Sequence, residues 1–306
     1  MTHLNNITTR LGIFWTVFLF ALILRIIYLS FGIADYWGDA FHNVFISKLT
    51  VENDWVYSDY TGRQVVWLPF YRYLVTLFMF AFDQYDLVIP HVVNIILGSV
   101  SCALVAKLVS FAGRKDIGLL SGCGLAVLPW HIAYSNLNTQ EMLCGTILLL
   151  VVFSYTNKQW FWLAPLAFIG VLTRNEMTPI LSVFGLYLIY RKDWKSAGAM
   201  LIGGVTGLTL WGFWCYSNTG NFFWWITERS LGSSWNHVFQ MQQDRIAGNW
   251  YSPILSILQV FPYLIVVLIN FKMIKKIKPA LQHSVSKNVF TPLFFMLLFD
   301  LSLIHI

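Results

Sequence analysis

Leu68-Pro69-Phe70-Tyr71-Arg72-Tyr73-Leu74-Val75-Thr76-Leu77-Phe78-Met79-Phe80-Ala81-Phe82 is the stretch on which the topology turns. It is apolar, but at about 15 residues it falls short of the roughly 20 that cross a bilayer core. It also has a proline as its second residue and carries an arginine. Other apolar runs, most of them long enough to span and some short, lie at 11–33, 87–111, 117–134, 138–156, 159–175, 176–190, 197–216, 252–271 and 289–306. If 68–82 lies along the surface, one side of the membrane receives Arg10, Arg114 and Lys115, Lys158, Arg191, Lys192 and Lys195, and the lysines of 272–288. The other side receives Asp35, Asp39, Glu52, Asp54, Asp59, Asp83, Asp86, Glu141, Glu176, Glu228 and Asp244. Cytoplasmic loops collect Lys and Arg, so this arrangement satisfies the positive-inside rule. Counting 68–82 as a span puts every later basic loop outside. The sequence therefore predicts an all-α, polytopic transmembrane helical bundle of about nine spans. Its N-terminus is cytoplasmic, and residues 1–306 form one transmembrane domain. A long first external loop at about 34–86 contains juxtamembrane amphipathic helices, and a second external loop lies at about 218–251.

Composition excludes the alternatives. Hydrophobic residues make up 57 % of the chain and charged residues 11 %, whereas a soluble domain carries about a quarter charged residues. The aromatic share of 17 %, with 14 Trp, fits aromatic belts at two membrane interfaces. The net charge of +6 is distributed over the cytoplasmic loops, so it sets topology and does not form a nucleic-acid groove. Cys102, Cys123, Cys144 and Cys215 lie inside apolar runs without metal-ligand spacing and read as small core residues. The run 11–33 is too long for a signal-peptide core and reads as a retained first span. The ending Asp300-Leu301-Ser302-Leu303-Ile304-His305-Ile306 stops inside an apolar run and resembles translated adapter sequence. A truncated C-terminus with non-native last residues is the expectation.

Several ionisable residues fall where a membrane protein pays attention to them. Counting back about 20 residues from Lys158 reaches Asn138, and from Arg191 it reaches Val171. Glu141, Arg174 and Glu176 therefore belong to the outer layer of the bilayer. Charges at that depth face a cavity or a partner, although a helix cap or a local Arg174–Glu176 pair accounts for them equally simply. Asp39 follows the first span in Tyr36-Trp37-Gly38-Asp39-Ala40 and opens a helix over 39–50, where Phe41, Val44, Phe45 and Leu49 recur at helical spacing. A carboxylate there is either a cap on the helix dipole or a general base at the membrane surface. His42 shares the face of Asp39 at i, i+3, but no third ligand accompanies the pair, so no metal and no other cofactor is predicted. Trp224, Trp225, Trp235 and Trp250, with Glu228, Arg229 and His237, read as interface anchors or as a sugar-stacking surface. Arg25, within the first span, is either buried and paired or close to a lipid carrier. Lys107 reads as snorkelling towards the cytoplasm.

The order of these elements resembles the GT-C superfamily of integral-membrane glycosyltransferases. Within it the chain is most similar to the family 39-like group of protein mannosyltransferases and aminoarabinose transferases. The resemblance is carried over roughly residues 11–216 by Gly38-Asp39-Ala40 and by Val66-Trp67-Leu68-Pro69-Phe70-Tyr71. It continues through Leu128-Pro129-Trp130-His131-Ile132-Ala133-Tyr134-Ser135-Asn136-Leu137-Asn138-Thr139-Gln140-Glu141 and through Leu172-Thr173-Arg174-Asn175-Glu176. It implies an inverting transfer of a sugar from a polyprenyl-phosphate donor to a protein, lipid or glycan acceptor. The site would lie on the external face of a plasma membrane, bathed in membrane lipid and without nucleic acid. Asp39 then matches the catalytic base, and Arg174 the group at the donor phosphate. Glu176 orients Arg174 or touches the sugar, and Glu141 opens the following span. Two departures stand out: Ala40 follows Asp39 where members often have a second acid, and His91 replaces an arginine at the start of the second span. Arg72 or His91 would then have to supply the second cation. A polytopic transporter or a flippase for lipid-linked sugars is the competing class. It predicts repeated halves, and no internal repeat is seen.

Overall fold

The computed structural model describes residues 2–32, 38–57, 68–111 and 115–224, which are helices joined by short turns, with no strand among them. Helix α1 (Thr2–Ser30) is interrupted at Gly12, whose φ of 72° is a conformation natural to glycine. Helix α2 (Gly38–Glu52) and α3 (Phe70–Phe82) follow, then α4 (Val88–Ser110) and α5 (Lys115–Val127). Leu128, which precedes Pro129, adopts the extended ψ of 119° that a following proline favours, and α6 (Pro129–Ser135) leaves α5 at a 65° bend. Beyond a turn come α7 (Glu141–Thr156), a 3-10 turn at Trp160–Trp162, α8 (Leu163–Val171), α9 (Met177–Tyr190) and α10 (Trp194–Thr219).

Three helices are long and apolar enough to cross a bilayer, Gly12–Ser30, Val88–Ser110 and Trp194–Thr219, and the bent α5–α6 pair makes a fourth if taken as one span. These are the helices of a membrane protein. The runs expected at 138–156, 159–175 and 176–190 fold as shorter apolar helices, and 68–82 is one too. Those at 252–271 and 289–306 lie outside the described residues, as do Trp225, Glu228, Arg229, Trp235, His237, Trp250 and the ending 300–306.

Small residues set the core. Val17, Ala21, Cys102, Ala106 and Ala126 bury completely where α1, α4 and α5 meet. Gly118 and Gly122 let α5 approach the backbone of α4, against Ala106 and Cys102. Gly203 and Gly207 do the same for α10 against Ala164 and Phe168 of α8. Close approach through small residues is how helices gain packing energy when lipid is as apolar as the partner. The paired positions also fix helix directions. Gly118 meets Ser110 while Gly122 meets Cys102, so α4 and α5 are antiparallel. Asn94 meets Leu137 while Phe111 meets Phe153, so α4 and α7 run parallel. Ser30, the start of α4, the 136–140 turn and the 172–176 turn thus share one end of the bundle.

At that end α2 packs a mixed apolar and polar face and leaves aromatic side chains outward. It buries Ala40, Asn43, Ile46, Ser47 and Thr50 and leaves Phe41 49 % and Phe45 47 % exposed. From Gly212 the chain enters a second compact unit, Gly212–Lys287, of which Gly212–Trp224 are described. There Phe222 stands edge-on to Phe213 at 5.4 Å.

Candidate functional site

Asn136, Leu137, Asn138, Thr139 and Gln140 form a buried polar turn between α6 and α7. A turn buried among apolar helices must have its carbonyls satisfied by side chains. Asn94, fully buried on α4, donates from Nδ2 to the Leu137 oxygen and, at 2.9 Å, to that of Thr139. Asn43 on α2 donates at 2.7 Å to the Asn138 oxygen and at 3.5 Å to Gln140 Oε1. Asn43 Oδ1 in turn accepts from Arg72 Nη2, while Arg72 Nη1 donates to the Leu68 oxygen at 2.7 Å. Ser47 closes the set by donating to the Arg72 oxygen at 3.2 Å. Arg72, 1 % exposed, is therefore a buried strut from α3 through α2 to the turn.

A second strut reaches the turn from α1. Arg25 is fully buried and donates from Nε to Ser135 Oγ at 3.0 Å and from Nη1 to the Ala21 oxygen at 2.8 Å. Its Nη2 lies 3.4 Å from Cys102 Sγ and 2.5 Å from His131 Nδ1. All four partners are formally neutral groups. A charge within a span is stabilised here by dipoles, and Arg25 holds α1, α4 and α6 together.

These struts deliver Glu141, the first residue of α7, to Arg174. The guanidinium pairs through Nη1 with Glu141 Oε1 and through Nε with Glu176 Oε2 at 3.1 Å. The 172–176 turn is itself tied to α3, because the Phe70 amide donates to the Leu172 oxygen at 3.0 Å. Glu141 Oε2 and Thr139 Oγ1 are buried acceptors without a hydrogen-bond partner among the described residues. The triad carries a formal net charge of −1, and Arg174 keeps the Nη2 donors beyond those used for the two glutamates.

No family model, curated protein or solved structure matches the chain.

Of the six residues singled out in the sequence, the structure brings Glu141, Arg174 and Glu176 together. Arg72 underpins the neighbouring turn, and His91 is buried near the start of α4. Asp39 stands apart, on the wall of an open groove of about 980 Å³ between α2 and the start of α4. Phe41, His42, Val44, Phe45, Lys48 and Leu87 share that wall. Among the described residues Asp39 makes no hydrogen bond or ion pair, and no three His, Cys, Asp or Glu side chains gather as a metal site. Asn43, Asn94 and Ser135 were not singled out by the sequence reading. Their signal was an amide or hydroxyl in an otherwise apolar or amphipathic stretch, where its hydrogen bonds had to be met internally.

Proposed function

We propose that the chain is an inverting GT-C-type glycosyltransferase of the plasma membrane that takes its sugar from a polyprenyl-phosphate donor on the external face. The reading includes the topology of about nine spans, with the N-terminus cytoplasmic and the 34–86 and 218–251 segments outside. The observation that carries it is the Glu141–Arg174–Glu176 triad. It is assembled from two turns at the same bundle end as Asp39, whose carboxylate has no hydrogen bond or ion pair among the described residues. Helix α7 has 16 residues and extends only about 24 Å. Its first turn therefore sits within the depth of a bilayer, where a lipid phosphate is presented.

In the reaction the acceptor hydroxyl gives its proton to Asp39 as its oxygen bonds to the anomeric carbon from the face opposite the leaving group. The bond from that carbon to the phosphate oxygen breaks, and the electron pair leaves with the lipid phosphate. Arg174 offers Nη2 to the departing oxygens. Glu141 Oε2 and Thr139 Oγ1 are acceptors for sugar hydroxyls. Incubating the reconstituted protein with radiolabelled polyprenyl-phosphate sugar should transfer label, and Asp39→Asn should lower the rate at least ~100-fold while donor binding persists. Full activity in that variant removes Asp39 from the chemistry. Arg25, a charge inside a span, is the feature that favours a transporter or flippase instead. That class moves the labelled donor or another solute without consuming it.

A further inference from the structure

We infer that the groove between α2 and the start of α4 holds the hydrocarbon chain of the acceptor, which is therefore a membrane lipid with an uncharged, hydroxyl-bearing headgroup. The identity of this lipid as acceptor rests on the glycosyltransferase reading; its binding does not. The outward aromatic side chains of α2 are the first support. Its packed side carries Ala40, Asn43, Ile46, Ser47 and Thr50, and the side lining the groove carries Phe41, Val44 and Phe45 beside Asp39, His42 and Lys48. Apolar side chains interleaved with charged ones suit the boundary between headgroups and acyl chains.

Continuity is the second support. Val88 forms part of the groove wall and begins a stripe of Val88, Val92 and Ile96, exposed by 51 %, 41 % and 40 % at four-residue spacing along a helix long enough to span. The groove thus adjoins, at Val88, an exposed apolar stripe of α4. From Asp39 to Lys48 the α2 wall is roughly 13 Å long, room for part of one acyl chain, and the volume of about 980 Å³ accommodates more than one.

Charge selects the headgroup. Asp39 has no hydrogen bond or ion pair among the described residues, and Asp86, also on the wall, accepts from the Val88 amide at 2.9 Å. Lys48, at the other end of the α2 wall, pairs with Glu52 at 4.0 Å. The Asp39 carboxylate at its end of the wall repels a phosphate and accepts a hydroxyl proton. With the lipid seated, its hydroxyl gives that proton to Asp39 and its oxygen bonds to the anomeric carbon, and the donor's phosphate leaves with the electron pair.

The test uses the full chain in phosphatidylcholine nanodiscs with a diacylglycerol that carries a diazirine in one chain. Irradiation and peptide mapping should place adducts on the 41–48 and 87–92 segments at least fivefold above those on the exposed residues Leu186 and Leu201. Val44→Trp, which fills the groove, should abolish that excess, and Phe41→Ala, which removes a wall without adding bulk, should reduce it. Phosphatidic acid with the same chain should label the groove less than diacylglycerol. Equal labelling of groove and reference residues overturns the inference, as does labelling indifferent to both variants, or crosslinks joining two copies of this chain through α2. If the groove binds diacylglycerol but no label moves from the donor, the glycosyltransferase reading fails and the lipid site stands. If transfer proceeds to a soluble acceptor with the groove unlabelled, the lipid site fails alone.

Discussion

Asn94 shows how much one side chain can carry in an apolar interior. Its amide nitrogen serves two backbone carbonyls of the 136–140 turn, and nothing else described donates to both. Asn94→Leu leaves those carbonyls without a donor in a setting without water. Each unmade bond costs about 1–3 kcal/mol, so the variant should unfold in detergent with a stability loss of about 2–6 kcal/mol, measured by chemical denaturation. It should also weaken the Glu141–Arg174 pair, since Glu141 directly follows the turn. An unchanged midpoint would show that the turn holds itself. This role could not be read from the sequence, because an asparagine in the run 87–111 announces only that some partner exists. The Arg174–Glu176 contact was legible at two-residue separation. Glu141 came within reach of the reading through helix length alone, since short helices draw both turns to one depth. Arg72 was expected as a possible cation of the site, and it turned out to be engaged with Asn43 and Leu68.

Among the elements, the glycines of α7 and α10 make opposite predictions. A Cβ at Gly203 would lie 1.9 Å from the Ala164 carbonyl oxygen, whereas nothing lies within 4 Å of one at Gly145. Gly203→Ala must therefore push α10 off α8 and lower stability by about 1–3 kcal/mol. Gly145→Ala should raise stability by up to about 1 kcal/mol through helix propensity. Thermal melts of both variants in one detergent check the pair together, and a common sign would contradict the close α8–α10 approach. Helix existence was legible from apolar run lengths, and 87–111 corresponds to α4 within a residue at each end. The bend between α5 and α6 was not. The run 117–134 reads as one span, and the Leu128-Pro129 step that breaks it supplies no angle. The apolar side of α2 was legible from the spacing of Phe41, Val44, Phe45 and Leu49, and Phe41 and Phe45 do stand outward. The polar contacts of its packed side, made by Asn43 and Ser47, were not.

For the whole molecule, the proposed orientation makes a prediction that needs no activity. With the native cysteines replaced by alanine or serine, single cysteines at the exposed positions Asn53 and Asn218 should react with a membrane-impermeant maleimide from outside intact cells. Cysteines at Asn157 and Lys192 should react only after permeabilisation. The reverse pattern would invert the basic-loop assignment and place Asp39 and Arg174 on the cytoplasmic face. The long segments that complete the expected bundle lie outside the described residues, so their order rests on the sequence reading.

The hydrogen bond from the Phe70 amide to the Leu172 oxygen has a mechanical consequence. It couples the start of α3, a helix too short to cross a bilayer, to the turn that bears Arg174. If α3 follows the membrane surface, a thicker or thinner bilayer moves its first residue and strains a turn whose other side is fixed by Glu141. The protein would then sense hydrophobic thickness at its charged triad, and its working rate should pass through an optimum as the acyl chains of the surrounding phospholipid are lengthened.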